Sequence, residues 1–519
     1  MLHHQFQFNL SLAFCFFVTT LHAQPVCGGC HPRETATYNR TAMANSLGVP
    51  EEQPGAQVVH KLSGATVTIR SEHGAMVQAI EEKGLKAEYK VPYYVGAGKV
   101  GRSYFARAGD YLLQSPVSFY TKANGWDLTP DYSSKRSLDF DHVISSGCLF
   151  CHTGEVRLIG GTQNRFERVP FTPISCERCH GPSAEHVKSP SRTNIVNPAM
   201  LPVRARDGVC EQCHLEDAVR ILNPGKDWWD FRAGQEMEQT FAVYLQKNAN
   251  GVKAVSHVEQ LAESACFRAS GGRMWCATCH DPHADSTGDR KSQMKQICQS
   301  CHAQLSAASH AAVTECTSCH MPPRSASDVA HAAITDHRIL RKPEPERDTQ
   351  KSPLEPPVPW KQPEPELLQR DQAIADLTIA SDLLSAPLET EAVRLFLDLR
   401  GPLADDPVVL AALGSVMLQQ NMPKEALKYF TEAVRQDPRN AENVMDLGLA
   451  YAQAGDMGQA MRNLEHAIQL DPSLRRAYFE LARLHAALGQ EGARMQVLHR
   501  YLTLFPESIE GRHMLLPLR

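Results

Sequence analysis

Uncommitted cysteine is almost absent from this chain. Sixteen cysteines occur in 519 residues, and fourteen of them fall in seven copies of a single pattern. Of the other two, Cys15 lies in the first apolar segment and Cys266 stands alone, so an internal disulfide has no partner to form with. Cys266 is expected to be a buried thiol that packs as a small hydrophobe. Long apolar runs are also missing: after Leu21 no stretch is long enough to cross a bilayer. Charge of one sign is not in excess, because 53 Lys and Arg stand against 58 Asp and Glu, a net −5. That balance excludes the basic field that holds nucleic acid.

Lys and Arg are absent before Arg33, yet the apolar run Phe8 to Leu21 ends in Thr20-Leu21-His22-Ala23. Residues 1–23 are expected to be a secretory signal cleaved after Ala23. The uncharged start and Leu21 at the −3 position depart from the usual pattern, and an uncleaved anchor is the alternative.

The repeated pattern is Cys-x-x-Cys-His. Its copies are Cys27-Cys30-His31, Cys148-Cys151-His152, Cys176-Cys179-His180, Cys210-Cys213-His214, Cys276-Cys279-His280, Cys298-Cys301-His302 and Cys316-Cys319-His320. Each reads as a covalent attachment site for a c-type haem. Two thiols about one helical turn apart can add to the two vinyl groups on one edge of a porphyrin, and the following histidine reaches the iron. Zinc and thioredoxin-like sites share the Cys pair but do not require a histidine after every one. Attachment of this haem type also implies export.

Three regions follow the leader. Residues 24–340 hold every motif. Within them, about 56–120 is expected to be a small β insertion, on the evidence of Ala65-Thr66-Val67-Thr68-Ile69 after Gly64 and of Tyr111 to Tyr120. Short helices and loops around porphyrins should make up the rest, with little regular structure. Residues 341–368 contain eight prolines, among them Pro343, Pro345, Pro356, Pro357, Pro363 and Pro365, and read as a stiff, partly extended linker.

Residues 369–519 repeat every 34 residues: Asp437-Pro438 recurs as Asp471-Pro472, and Pro506 follows. In register lie Leu413, Gly414, Ala426, Phe430 and Ala433, then Leu447, Gly448, Tyr451, Ala460, Leu464 and Ala467, then Tyr478, Leu481, Ala482, Leu498 and Tyr501. This pattern predicts an α-solenoid of tetratricopeptide repeats, with a degenerate earlier unit around Ala392 and Phe396. The fold class expected for the chain is mainly α. Solenoids of this kind offer concave surfaces to proteins, so docking of a redox partner is expected there.

The motif histidines His31, His152, His180, His214, His280, His302 and His320 supply the first axial ligand of each iron. The sixth ligand decides function, since a second strong ligand favours electron transfer and an open position permits chemistry. Nine further histidines lie in the haem region, enough to close all seven irons. His60, His186, His257, His283, His310, His331 and His337 are the candidates, with His142 and His73 as spares. His186 and His283 follow their own motifs too closely to fold back, so each should cross to a neighbouring iron. His60 is expected at the first haem, with Met43 as competitor.

Several words in the sequence carry a resemblance. They are Tyr94-Val95-Gly96-Ala97-Gly98 with Arg102 and Tyr104, Leu113-Gln114-Ser115-Pro116 with Tyr120, and Gly147-Cys148-Leu149-Phe150-Cys151-His152. Further along are Cys179-His180-Gly181-Pro182 with His186, His257 with Ser264-Ala265-Cys266, Cys279-His280-Asp281-Pro282-His283, and Cys319-His320-Met321-Pro322 with Asp336-His337. The chain resembles bacterial multihaem cytochromes c that carry a C-terminal tetratricopeptide domain. Its haem core is distantly similar to the tetrahaem cytochrome of ammonia oxidisers and to the pentahaem nitrite reductase and octahaem hydroxylamine oxidoreductase group. That resemblance implies stacked haem pairs, in alternating parallel and perpendicular packing, and periplasmic electron transfer. One departure is plain: those nitrite reductases use Cys-x-x-Cys-Lys at the catalytic haem, and all seven motifs here end in His.

Two functions are therefore weighed. One is an electron carrier with mostly bis-histidine haems. The other is a haem oxidoreductase acting on a small nitrogen or sulfur oxyanion at a five-coordinate haem. For the second, the first haem is the expected place, and Arg102, Lys99, Tyr93 and Tyr94 are the candidate polarising groups.

Overall fold

The computed structural model describes residues 25–160, 162–167, 171–215, 218–246, 253–284, 290–303, 315–342 and 355–516. The expected signal segment lies outside the described residues, as does most of the proline-rich stretch.

The β part is larger than the sequence suggests. Strands β1 (Leu47–Gly48), β2 (Ala56–Val59), β3 (Thr66–Glu72), β4 (Ala75–Glu82), β5 (Leu85–Val91), β6 (Tyr93–Val95), β7 (Gly101–Ala108), β8 (Tyr111–Gln114), β9 (Val117–Tyr120) and β10 (Gly125–Leu128) form two sheets. One is the antiparallel meander β2-β3-β4-β5; the other runs β1-β6-β7-β9-β10, with β8 also paired to β7. The β structure thus begins before residue 56 and continues past 120. The extra strand β10 was hidden by Trp126-Asp127, which do not alternate clearly. The meander turns at His73-Gly74 and Lys83-Gly84, four residues with positive φ, as two-residue hairpins require. In β5 every second residue, Ala87, Tyr89 and Val91, is buried against the core.

Seven short strands elsewhere complete the sheets: β11 (Thr153–Glu155) with β12 (Thr172–Pro173), β13 (Ala218–Leu222) with β14 (Phe241–Leu245), and β15 (Pro323–Ser325) with β16 (Ala333–Thr335), plus β17 (Val358–Pro359). The last belongs to the proline-rich stretch. It pairs with β14, and Trp360 N donates to Val243 O at 2.8 Å. Lys361 Nζ then reaches Glu211 at 2.6 Å. From Glu355 onward the stretch expected as a spacer is a strap laid across the haem region.

The helices beyond it pair as hairpins: Leu368–Leu383 with Ala386–Leu397, Pro407–Gln419 with Pro423–Gln436, Ala441–Gln453 with Met457–Leu470, and Arg475–Ala487 with Glu491–Leu504. The last three pairs begin 34 residues apart. Ala426, Phe430, Ala433, Ala460, Leu464 and Ala467 are sealed between them. A Cβ on Gly414 would stand 2.8 Å from the Phe430 ring, which is why that helix crossing needs glycine. The hairpin Leu368–Leu383/Ala386–Leu397, with Ala392 and Phe396 buried, is the degenerate first unit.

This helical array is fastened at both ends. Its first helix packs Ala375 against Ile221, Ala242 and Tyr244 of β13 and β14, and Arg370 donates to Leu222 O. Its last turns share one apolar core with the β sheets, in which the Tyr111 and Phe505 rings lie 5.7 Å apart. Asp139 accepts from Ile509 N at 2.8 Å and Ser508 Oγ at 3.1 Å, and Arg475 bridges Asp141 and Glu510.

Candidate haem sites

Each attachment motif occupies a single helical turn. In five of them the histidine N–H donates to the carbonyl of the first cysteine: His31 to Cys27, His180 to Cys176, His280 to Cys276, His302 to Cys298 and His320 to Cys316, all at 2.8–3.0 Å. The fourth motif ends the longer helix Val203–His214. This geometry puts both thiols on one side of the turn with the imidazole beyond them, which suits a porphyrin edge. No disulfide joins any described cysteine, and Cys266, expected to be buried, is half-buried.

Motifs meet in pairs through their cysteines. Cys27 lies against Cys176, Cys151 against Cys213, Cys210 against Cys276, and Cys298 against Cys316. The third motif thus stands beside the first, the second beside the fourth, the fourth beside the fifth, and the sixth beside the seventh.

Four motif histidines face a second histidine ring. His186 stands opposite His31 with ring centroids 6.4 Å apart and planes 18° from parallel. His283 faces His180 at 5.8 Å and 13°, and His337 faces His280 at 6.2 Å and 25°. His257 meets His214 at 6.0 Å, nearly perpendicular. Two imidazoles on one iron, each with a metal–nitrogen bond of about 2 Å, would hold their centroids about 6 Å apart. Backbone carbonyls fix the ring orientation: His180 Nδ1 meets Val196 O at 2.8 Å, His320 Nδ1 meets Leu340 O at 2.7 Å, and His337 Nδ1 meets Thr335 O at 2.8 Å. His186 Nδ1 lies between Ser191 O and Asn194 Oδ1. A proton held on Nδ1 leaves Nε2 as the free lone pair. Burial pushes His152, His214 and His257 down to about 4, so these rings are neutral, the form that binds a metal.

The remaining candidates sit elsewhere. His60 is 1 % exposed; its Nδ1 is 2.8 Å from Ser63 Oγ, and its Nε2 meets no partner among the described residues. It keeps the chemistry of a ligand, but the position opposite His31 expected for it holds His186 instead. His331, expected as a distal ligand, has Nε2 on Asp127 Oδ2 at 2.8 Å and its ring edge-on to Tyr120. Its positive φ turns it toward β10. His73 is at a solvent-exposed hairpin tip. His142 is exposed and touches Cys148 of the second motif. His310 lies outside the described residues. Met43 packs with Tyr38 and Ala44. Arg102 lies over the Tyr94 ring at 4.1 Å and pairs with Glu51 at 3.2 Å, while Tyr93 packs edge-on to Phe171; Lys99 is in the turn between β6 and β7.

A family model for a doubled CXXCH motif matches residues 269–307, and one for the tetratricopeptide repeat matches residues 417–462. The multiheme cytochrome MtrA of Shewanella baltica (strain OS185) is 26 % identical over 232 residues, which is 37 % of this chain and 66 % of that protein. These matches support a multihaem c-type cytochrome with a tetratricopeptide repeat region. The chain spans just under two thirds of the length of that curated relative. Among solved structures, its helical region is similar to the MamA protein (18 % identity, 28 % of this chain, 78 % of that one, TM-score 0.25). It is also similar to the first TPR of Spaghetti (RPAP3) bound to an HSP90 peptide (24 %, 21 %, 89 %, TM-score 0.20).

The residues present fit covalent haem. Besides the facing histidines, buried apolar side chains are scarce around the last three motifs among the described residues. Between Tyr244 and Ala332 no hydrophobic residue is buried among the described residues, although three motifs lie there. A chain segment of that length needs a core to stay folded, and porphyrin faces would supply it. Each attached haem would bring a one-electron Fe(III)/Fe(II) couple. The chain's own contribution is to fix ring tautomers through carbonyls and to set the neighbours of each site.

Sequence reasoning missed Arg178, Gln212, the carbonyls of Val196 and Leu340, and the Trp360 strap. Only Arg178 and Gln212, inside motifs, lay near a detectable signal, and nothing at those variable positions marked them.

Proposed function

We propose that the chain is an exported heptahaem cytochrome c that carries electrons along a row of mostly bis-histidine haems. The observation that carries this reading is the set of four histidine pairs at 5.8–6.4 Å. His31, His180, His214 and His280 would be closed by His186, His283, His257 and His337. Closed irons favour electron transfer over substrate chemistry. The cysteine contacts support an ordering in which the first site passes to the third, the second to the fourth, the fourth to the fifth, and the sixth to the seventh. The alternative, an oxyanion enzyme at an open first haem, loses support because His186 stands at the place it needs vacant.

Export is part of the proposal, carried by the attachment chemistry and by the apolar leader. No helix among the described residues is long and apolar enough to cross a membrane. The repeat region is proposed to dock a redox protein. A groove of about 340 Å3 between the helices Leu368–Leu383 and Pro407–Gln419, lined by Leu377, Thr378, Asp382, Ser415 and Gln419, supports that role.

Electron paramagnetic resonance of the oxidised protein tests the ligation. The expected spectrum is dominated by low-spin ferric haem, and His186→Ala converts one haem in seven to high spin. A wild-type spectrum dominated by high-spin iron, or an unchanged spectrum in the variant, would refute it.

A further inference from the structure

Three attachment motifs meet at one arginine. Arg178 occupies a variable position of the third motif and is 8 % exposed. Its guanidinium lies between two rings, 4.2 Å from the Phe150 centroid and 5.0 Å from that of Trp229. Its Nη2 donates to Phe150 O, inside the second motif, at 3.0 Å. Its own carbonyl accepts from Gln212 Nε2, inside the fourth motif, at 3.1 Å. The carbonyl of Gln212 in turn lies 3.6 Å from Cys151 Sγ.

What sets Arg178 apart is its lack of a counter-ion. The other buried arginines among the described residues are Arg206, Arg324, Arg370 and Arg494. Each has a carboxylate: Asp207, Asp336, Asp371 with Asp406, and Glu491. Arg178 meets no carboxylate among the described residues, and its buried Nε has no hydrogen-bond partner there. A guanidinium cannot discharge to escape this situation, and a buried charge without a partner is strongly unfavourable. Its placement makes sense where a redox centre that gains negative charge stands beside it.

We propose that Arg178 is a fixed positive charge that raises the reduction potentials of the haems on the second, third and fourth attachment sites, making that group the station where electrons rest. The inference builds on the haem chain proposed above. The equilibrium is Fe(III) plus one electron giving Fe(II), with no bond made or broken. A nearby cation favours the reduced form because that iron carries one positive charge fewer. Arg178 is a positioning residue, since it acts through the field and touches no reacting atom.

Spectroelectrochemistry of the full chain tests this, with the electrode supplying the electrons and haem content measured alongside. Arg178→Gln should lower the highest-potential steps. At the potential where they are half-reduced in the wild type, the reduced-to-oxidised ratio should fall about tenfold. Arg178→Lys, which keeps the charge, should hold that ratio within about twofold. Unchanged steps in a fully loaded Arg178→Gln protein overturn the proposal. So does an equal fall in both variants, which would mark a packing role. Should Arg178→Gln fail to assemble, Arg220→Gln decides. Arg220, which donates at 2.7 Å to the Gln212 carbonyl that also meets Cys151, is a second cation at this cluster. Its loss must lower the same steps, and no movement there overturns the proposal. Failure of the haem chain itself would appear instead in the wild type, as deficient haem content or high-spin iron.

Discussion

Asp139 ties the β sheets to the end of the helical array, and its protonation should tighten that tie. The side chain is 4 % exposed. Its oxygens accept from Phe140 N at 2.8 Å, Ile509 N at 2.8 Å, Ser508 Oγ at 3.1 Å and Tyr89 Oη at 3.3 Å. Burial, with help from the neighbouring Asp141, pushes its carboxyl up to about 6 against those hydrogen bonds. An unfolded aspartate titrates near 3.9. The folded state therefore binds the proton more tightly, so stability rises as pH falls through 6 and levels off below about 4. From pH 7 to pH 5 the gain is about 1 kcal/mol, close to a tenfold change in the opening equilibrium. Other charges face this cluster, namely Asp141, Arg475, Glu507 and Glu510, with Tyr132 and Tyr501. Comparison with Asp139→Asn subtracts them, because only the Asp139 proton is removed. The assay is hydrogen exchange of the segment 505–514, corrected for the intrinsic pH dependence of exchange. Protection in the wild type should be about tenfold higher at pH 5 than at pH 7, and the Asn variant should lose that difference. Equal pH responses in the two proteins would refute the account.

Three other outcomes follow from single contacts. Lys361→Met strands Glu211, whose side chain is only 5 % exposed, and should cost about 3 kcal/mol; thermal melting checks this, and adding Glu211→Gln should recover most of the loss. Gly414→Val drives a side chain into the Phe430 ring, since even a Cβ would sit 2.8 Å from it; a loss of about 1–3 kcal/mol is expected in the same melt, with Gly492→Ala, which meets nothing within 4 Å, as the neutral control. His283→Ala should add one high-spin haem to the oxidised spectrum, as His186→Ala should, and the double variant should add two.

The sequence was most readable where chemistry or repetition imposes spacing. Covalent attachment demands Cys-x-x-Cys-His, and stacked hairpins demand a 34-residue period, so both survive without context. Candidate ligands close to a motif, such as His186 and His283, could be named because a short turn leaves them nowhere else to go. Which motif histidine they face could not be named, since that depends on how Cys27 comes to lie against Cys176. The same contact displaces His60 from its expected place. The contact of His331 with Asp127 left no local trace, because the two lie 204 residues apart. The strap was misread because eight prolines look like a spacer, while a two-residue strand pairing and one tryptophan are enough to lay it down.

Two kinds of folding logic coexist in the chain. The β sheets and the helical hairpins bury their own apolar residues, Val67, Ile80 and Leu113 in one and Phe430, Leu464 and Leu498 in the other. Residues 253–331 bury no apolar side chain among those described. The two self-sufficient parts are joined to each other at Asp139 and Arg475, and the helical part is joined again to β13 and β14 at Arg370. That makes a closed frame built without cofactor. The second, third and fourth sites are attached to this frame through Gln212, Arg178 and the Glu211–Lys361 pair. Their mutual distances are therefore set by contacts of the chain itself. A fixed charge such as Arg178 can tune a potential only where the surroundings hold still, and the framed sites are where the chain has placed one.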